Sequence, residues 1–450
     1  MLTPERVVKL AEVIPFRGLR YNRDAIADLS RVVSPPYDII SPERQKHFHD
    51  KHTRNAIHLE YGLELPDDDG DNNRYARAAA NLDRWLQDRI LVPEPSPAFY
   101  FCREEYSIPG GGRAVRDGFI GAVRLVDFSR GIVLPHERTH SGPKEDRLKL
   151  LEATGANLSP VYSLYPDADL KVDSLLKEAT ASRDPDIDFT DEAGTRQMLW
   201  VIDDPAITSS LSAALSERNL FIADGHHRYE TALAYSQARH AAGDAQGLPH
   251  DYLMMYLSSL DDESQPILPV HRFVFGLARE TLAQWKRKLA GDFHITAVPG
   301  SGGDGAASLI SSLEAAPADR NAFGIYIAAG DSCYLLTARR PRPLISPDDS
   351  DRSPAWRSLD VAVLDRLVFA ETLGMTPGGN NAGAGVRYVE RTDQALSEID
   401  RGGFDIAFFV RPTTMAEIRS VAQAGDKMPQ KSTYFFPKPL TGLVFRSFAY

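Results

Sequence analysis

Cysteine is nearly absent, with Cys102 and Cys333 the only two in 450 residues. Two thiols cannot build a disulfide framework or a four-cysteine zinc site, and a reducing compartment suits such a composition. Long apolar runs are missing too. No stretch approaches the roughly 18 consecutive apolar residues of a membrane-spanning helix, so no membrane association is expected. The first residues, MLTPER, lack the basic start and apolar core of a secretory signal. A cytoplasmic placement is therefore expected. Positive charge is in deficit: 51 Lys and Arg stand against 62 Asp and Glu, a net charge of −11. An acidic average speaks against non-specific nucleic-acid binding, which needs basic surface, although a local basic groove stays open. There is no internal repeat, and the oligomeric state is not legible. The length suggests two or three structural units.

Along the chain, apolar runs bounded by turn residues alternate with helical periodicity. Ala98–Tyr106 and Phe119–Val126 read as paired strands around Gly110–Gly112, and Tyr75–Asp88 reads as a helix. A helical stretch over Arg23–Val32 should stop at Pro35-Pro36, because two prolines cannot continue a helix. Leu134–Asp146 is polar and punctuated by Pro135 and Gly142-Pro143, which predicts an irregular loop before a helix near Arg147–Thr154. Gln197–Ile202 and Leu220–Ala223 read as buried strands flanking a helix, with Tyr252–Ser258 as the strand after the next one. This order predicts a mixed α/β fold. Gly300–Gly305 (GSGGDG) is expected to be a loop. Three regions follow: 1–199, 200–275 and 276–450.

The segment richest in chemistry is Ala223-Asp224-Gly225-His226-His227-Arg228. An apolar strand ends there in a glycine turn, and Tyr229, Ala232 and Leu233 then recur at helical spacing. Such a turn leaves backbone N–H groups unpaired at a helix N-terminus, which with the helix dipole makes a phosphate site. His226, His227 and Arg228 would add donors, and Arg228 could grip two oxygens. A capped helix start with solvated polar residues is the plainer alternative.

Three further segments offer polar groups. His136-Glu137-Arg138-Thr139-His140 matches H-E-x-x-H, the zinc-protease pattern, but that chemistry requires a helix, and the flanking prolines leave no room for two turns. A polar active-site loop fits better, with Glu137 accepting a proton from a substrate hydroxyl and His136, Lys144 and Arg147 nearby; a solvated loop of surface ion pairs stays open. Gly425–Ser432 (GDKMPQKS) is one glycine short of a P-loop and lies between a helix and a strand, the wrong order. Lys431, Ser432 and Thr433 could still hold a phosphate as ordinary side chains, or simply lead into a strand. Arg17, Arg20, Tyr37 and Asp38 sit beside glycine or proline, as loop residues lining a cleft do.

The segments FRGLRYN (16–22), SPPYD (34–38), PHERT (135–139), PKEDR (143–147), ADGHHRYETAL (223–233) and MPQKSTYFFPK (428–438) stand in this order. Together they resemble the bacterial family known as domain of unknown function 1015, over nearly the whole chain. The strand–DGHHR–helix–strand unit is also similar to the core of the ParB/sulfiredoxin superfamily, which includes partition nucleotide switches, sulfiredoxins and free-serine kinases. That resemblance implies a phosphate-holding role for Gly225, His227 and Arg228, a first core strand at Val13–Phe16 and a large insertion over 60–200. The nucleophilic cysteine of sulfiredoxin has His226 in its place, so sulfiredoxin chemistry is excluded.

These readings predict a nucleotide-dependent phosphotransferase acting on a small hydroxyl-bearing metabolite such as free serine. Asp224, Gly225, His226, His227, Arg228, Ser432 and Thr433 would hold ATP or ADP. Arg228 and Lys431 would balance charge, and Glu137 or Asp38 would act as base. Mg2+ is expected with the nucleotide, placed with help from Asp38, Glu137 or Asp224. The alternatives are a metal-dependent hydrolase using His136, Glu137 and His140, with help from the histidines at 226 and 227, and a nucleotide-binding regulatory module without turnover.

Overall fold

The computed structural model describes residues 11–137, 141–262, 264–345, 351–375 and 384–450. His140, and with it the second histidine of H-E-x-x-H, lies outside the described residues. Among the described residues the chain forms a mixed α/β fold built on two sheets.

Nine strands make the first sheet. In chain order they are β1 (Val13–Ile14), β2 (Phe99–Ser107), β3 (Arg113–Arg124), β4 (Val133–Leu134), β5 (Val161–Tyr165), β6 (Ile187–Thr190), β7 (Arg196–Ile202), β8 (Leu220–Asp224) and β9 (Tyr252–Ser259). Across the sheet the order is β4-β8-β5-β9-β3-β2-β7-β6, with β1 pairing on β3. Side chains alternate between faces with the strand period of two. Tyr100, Cys102, Ile120, Ala122, Phe221 and Ala223 pack on one side. Phe99, Phe101, Phe119, Val123, Leu220 and Ile222 pack on the other. Both faces are therefore buried, which is why these strands read as nearly continuous apolar runs.

Two of these strands position the site. β4 and β8 are parallel, Leu220 pairing with Val133 and Phe221 with Leu134. Their C-terminal ends therefore point the same way, and Pro135–Glu137 emerges beside Asp224–His226. A register shift between Ile222 and Asp224 against β5 marks where β8 leaves the sheet. Helix α1 (Ser141–Thr154) and helix α2 (His226–Ala241) then pack against each other.

A second, antiparallel sheet holds six strands between His271 and Phe409. Helices Gly302–Glu314 and Thr392–Arg401 cover one face through Leu309, Leu313, Ala395 and Ile399. The other face, with Val274, Ile325 and Phe408, shares a single core with the first sheet. From Met428 the chain returns to the first sheet. Thr441 exchanges backbone hydrogen bonds with Ser34, and Phe445 with Leu19, at 2.8–3.1 Å. Arg446 and Ser447 pair with Asn157 and Ala156.

Several expectations need correction. No helix forms over Arg23–Val32; Asn22 and Asp28 accept from the backbone N–H two residues on, and only a 3-10 turn at Leu29–Arg31 results. The loop expected over Leu134–Asp146 is non-helical at Pro135–Glu137, but α1 already begins at Ser141. Pro143 falls in its first turn, where a missing N–H costs nothing. Gly300–Gly305 is not all loop, since a helix starts at Gly302, and the tight contact of Gly305 with Gly300 allows no Cβ. The boundary expected near 200 falls inside β7.

Phe445 is fully buried and packs edge-on against Tyr21, ring centroids 6.0 Å apart. Phe445→Ala should cost about 3–5 kcal/mol, the usual range for a buried phenylalanine. Urea denaturation followed by tryptophan fluorescence measures it; a loss below about 1 kcal/mol would mean that the closing segment is only a surface strap.

Candidate functional site

The loops at 38, 137, 224–228 and 431 meet. They line one cavity of about 430 Å³, together with Tyr37, Tyr61, Glu390, Thr433, Tyr434 and Lys438. The turn at Gly225 shapes one wall. Gly225 has φ +90, and a Cβ there would lie 2.9 Å from an Arg228 guanidinium nitrogen, so only glycine fits. α2 starts at the next residue with no side-chain cap. The first N–H groups of a helix have no acceptor within it, and His226, His227 and Arg228 all line the cavity.

Arg228 does not reach out from this turn. Its guanidinium folds back, donating to Asp224 Oδ2 (2.9 Å), Ser159 Oγ (3.0 Å) and the Pro160 carbonyl (2.6 Å). Only Nε is left without a hydrogen-bond partner. The expected two-oxygen phosphate grip is thus already spent on protein groups, and Arg228 positions the turn instead.

Lys438 is the central cation, and sequence reasoning missed it. Its ammonium stands between Asp224 Oδ1 (2.7 Å) and Asp38, with only 6% of its side chain exposed. Partial desolvation acts to raise the Asp38 carboxyl, but Lys438 and Arg228 outweigh it and hold it down at about 2. Desolvation acts to lower Lys438, and the two carboxylates more than reverse that, so it stays protonated. Lys438 stood inside a quoted segment, yet no spacing set it apart from Lys431. It also answers the expectation for magnesium: Asp38 and Asp224 do not fit as ligands, because an ammonium already occupies the place between them.

Glu137 has the opposite environment. It pairs with Met428 in a parallel bridge, and its Oε1 accepts from the Ser432 N–H at 3.4 Å. Burial pushes its carboxyl up to about 7; Lys431 pulls it down, and the Asp224 carboxylate adds to the rise. Lys431 reaches Glu390 at 3.4 Å and takes φ +55, a conformation that costs an L-residue energy.

His136 and His226 are structural. His136 Nδ1 donates to the Ile222 carbonyl (2.5 Å), so Nε2 is the acceptor and takes the Thr433 hydroxyl at 2.9 Å. Its backbone N–H donates to His226 Nε2 at 3.3 Å. Burial holds His136 at about 4 and His226 well below the usual range. Nδ1 of His136 has no electron pair to give a metal, and that of Nε2 is engaged by the Thr433 hydroxyl. Pro135–Glu137 is also not helical, so the helical geometry that H-E-x-x-H chemistry requires is missing at the start of the motif.

The remaining expected residues divide. Tyr37 lines the cavity, its ring under the Arg147 guanidinium at 4.0 Å, and burial pushes its hydroxyl up to about 12. Arg147 lies behind it, bound to Asp146 and Glu60, in a void of about 50 Å³. Ser432 is buried, its hydroxyl donating to the Pro429 carbonyl. Lys144 pairs with Glu230 across α1 and α2. Arg17 and Arg20 are held by Glu94 at the strand Leu19–Tyr21, away from the described lining of the cavity. Local sequence could not distinguish these from cleft residues, because an arginine beside a glycine reads the same in either place.

A family model matches residues 13–362, most of the chain. The chain belongs to the family described as Protein of unknown function (DUF1015). That family carries no assigned chemistry, so the site must be read from its own geometry. No curated protein matches the sequence. Solved structures with a loosely similar fold include a conserved hypothetical protein from Pyrococcus furiosus, 11% identical, covering 68% of this chain and 87% of that one with a TM-score of 0.33. Another is a free serine kinase in complex with ADP, 10% identical, covering 68% and 84% with a TM-score of 0.35. A third is SbnI with C-terminal truncation from Staphylococcus aureus, 10% identical, covering 72% and 85% with a TM-score of 0.33. Likeness at this level is too loose to carry a residue-by-residue argument. No described helix is long and apolar enough to cross a membrane.

Lys438→Met should destabilise the protein by about 2–3 kcal/mol at pH 7, between a surface pair and a fully buried one. The sign with pH is informative. In the natural protein the depressed Asp38 contributes stability above its unfolded value, lost only as pH falls through about 2. Without the ammonium, two neighbouring carboxylates repel and their pKa values rise, so the deficit should grow from pH 5 to pH 8. Urea titrations at both pH values test this. A deficit that is small and flat with pH would show that the bridge is not made.

Proposed function

We propose that the cavity binds the phosphates of ATP or ADP at the start of α2 and transfers a phosphoryl group to a small hydroxyl-bearing metabolite, with free serine a candidate. The observation that carries this reading is the meeting, in one cavity, of an uncapped helix N-terminus with a carboxyl pushed up to about 7. The N–H groups after Gly225 and the helix dipole suit an anion. Lys431 supplies positive charge of the kind that phosphoryl transfer needs, and Lys438 and Arg228 keep the turn in shape.

Of the two candidate bases, Glu137 suits the task. A general base works best when its pKa lies near the working pH, and Asp38, held near 2 by Lys438, is too weak. Glu137 would take the proton of the attacking hydroxyl as its oxygen bonds to the terminal phosphorus and the bond to the nucleotide breaks. His227, Thr433 and Tyr37, all lining the cavity, offer further polar contacts. The strand–turn–helix–strand unit over β8, α2 and β9 corresponds in this reading to a ParB/sulfiredoxin-like core. No step is assigned to magnesium.

Calorimetric titration with ATP and ADP, followed by nucleotide consumption against pooled hydroxyl metabolites, tests the proposal. Glu137→Gln should reduce turnover by about 10²–10⁴-fold and leave nucleotide affinity within a few fold. The natural protein's rate should climb as pH passes through about 7 and then level, because the base must be deprotonated. Binding without consumption would reduce the site to a nucleotide-binding module. No binding of either nucleotide would end the phosphate reading.

A further inference from the structure

The far end of α2 carries a second cluster, about 24 Å along the helix from the Gly225 turn. His240 stands on the last turn of α2, and His250 and Asp251 close the short loop that leads into β9. One ligating atom from each of the three lies within 4.8 Å of the others. Asp251 Oδ1 is 2.6 Å from His240 Nε2 and 3.8 Å from His250 Nε2, and Asp244 Oδ2 is 3.7 Å from His250 Nε2.

Two details set this apart from an ordinary ion pair. His250 is 8% exposed, and its buried Nε2 faces both carboxylates without a hydrogen-bond partner. His240 Nδ1 donates to the Asp244 carbonyl at 2.9 Å, which turns the electron pair of its Nε2 toward Asp251 Oδ1. Two electron-rich atoms that close need a cation or a proton between them. The surrounding bonds aim the same groups. Asp251 accepts from Ser236 Oγ (2.7 Å) and the Gly247 N–H (2.6 Å), and Asp244 Oδ2 accepts from Arg239 Nε (2.7 Å). A carbonyl behind a histidine and donors behind a carboxylate are the outer bonds that orient metal ligands.

We propose that His240, His250, Asp244 and Asp251 bind a divalent transition-metal ion of the zinc class, clipping the end of α2 to the start of β9. Two imidazoles with two carboxylates suit Zn2+ and are poor partners for Mg2+ or Ca2+, which take oxygen. At bond lengths of 2.0–2.2 Å a tetrahedral ion spaces its ligand atoms by about 3.3 Å. The 3.7 and 3.8 Å gaps would close by about half an ångström and the 2.6 Å gap would open by less than 1 Å, while Asp244, outside the 4.8 Å grouping of the other three, would swing further in by side-chain rotation. With four protein ligands the coordination is full, so the ion is a structural clip. This site is independent of the phosphate reading.

The test uses the full chain, stripped with a chelator and titrated with Zn2+ by calorimetry and thermal melting. One equivalent should bind and raise the melting temperature, while Mg2+ at the same concentration does neither. Co2+ in place of Zn2+ should give the visible absorption of a tetrahedral ion. His250→Ala should weaken Zn2+ binding by at least about 100-fold, since losing even an outer partner costs 10–100-fold. His240→Gln, at a more exposed position, should do the same in a chain that folds normally. Absence of stoichiometric uptake would overturn the proposal, as would equal uptake by both variants, which would locate the metal elsewhere.

Discussion

Everything at the cavity depends on one ammonium held between two carboxylates. Lys438 joins Asp38, from the early polar segment, to Asp224, at the end of β8. Three stretches far apart in the chain thus share one electrostatic knot. The knot fixes the direction of the Asp224 carboxylate, whose other oxygen takes Arg228. Arg228 in turn lies over Gly225, and that contact sets the start of α2. Remove the charge at the centre and the geometry loses its reference point.

The same knot separates two acids of one chemical type. Asp38, beside Lys438 and Arg228, is held ionised far below neutrality. Glu137 is walled in by the returning segment and faces the Asp224 charge, so its proton stays until about neutral pH. Local environment, not residue identity, divides a fixed anion from a group able to exchange a proton. His136 plays a different part. His136 has both ring nitrogens committed to the Ile222 carbonyl and the Thr433 hydroxyl, and it holds the 135–137 segment against β8.

How much of this was legible follows a physical divide. The apolar strands of the first sheet and the Asp224–Arg228 turn announce themselves, because burial on both faces and a glycine before a helix leave local signatures. The meeting of Asp38, Glu137, Gly225 and Lys431 was expected from their chemistry alone. What was illegible is partner choice. That Arg228 would turn inward to Ser159 and Pro160, that Arg20 would go to Glu94, and that Lys438 rather than Lys431 would lie between the aspartates are facts of tertiary packing with no periodicity to betray them. The helix over 23–32 failed for a local reason, since Asn22 and Asp28 offer the backbone better partners than a helix does.

The return of the last segment to the first sheet has a temporal consequence. Synthesis runs in one direction at about 5–20 residues per second, so Lys438 follows Asp224 by on the order of 10–40 s. During that interval the first sheet and the helix start can form, but Asp38 and Asp224 face each other with no cation between them, and the wall carrying Lys431 does not yet exist. A growing chain therefore lacks the full lining of this cavity however well its early portion has folded. Only a chain translated past this closing segment can present the complete cavity, and any product cut short before it carries the turn without the charge that lies between its carboxylates.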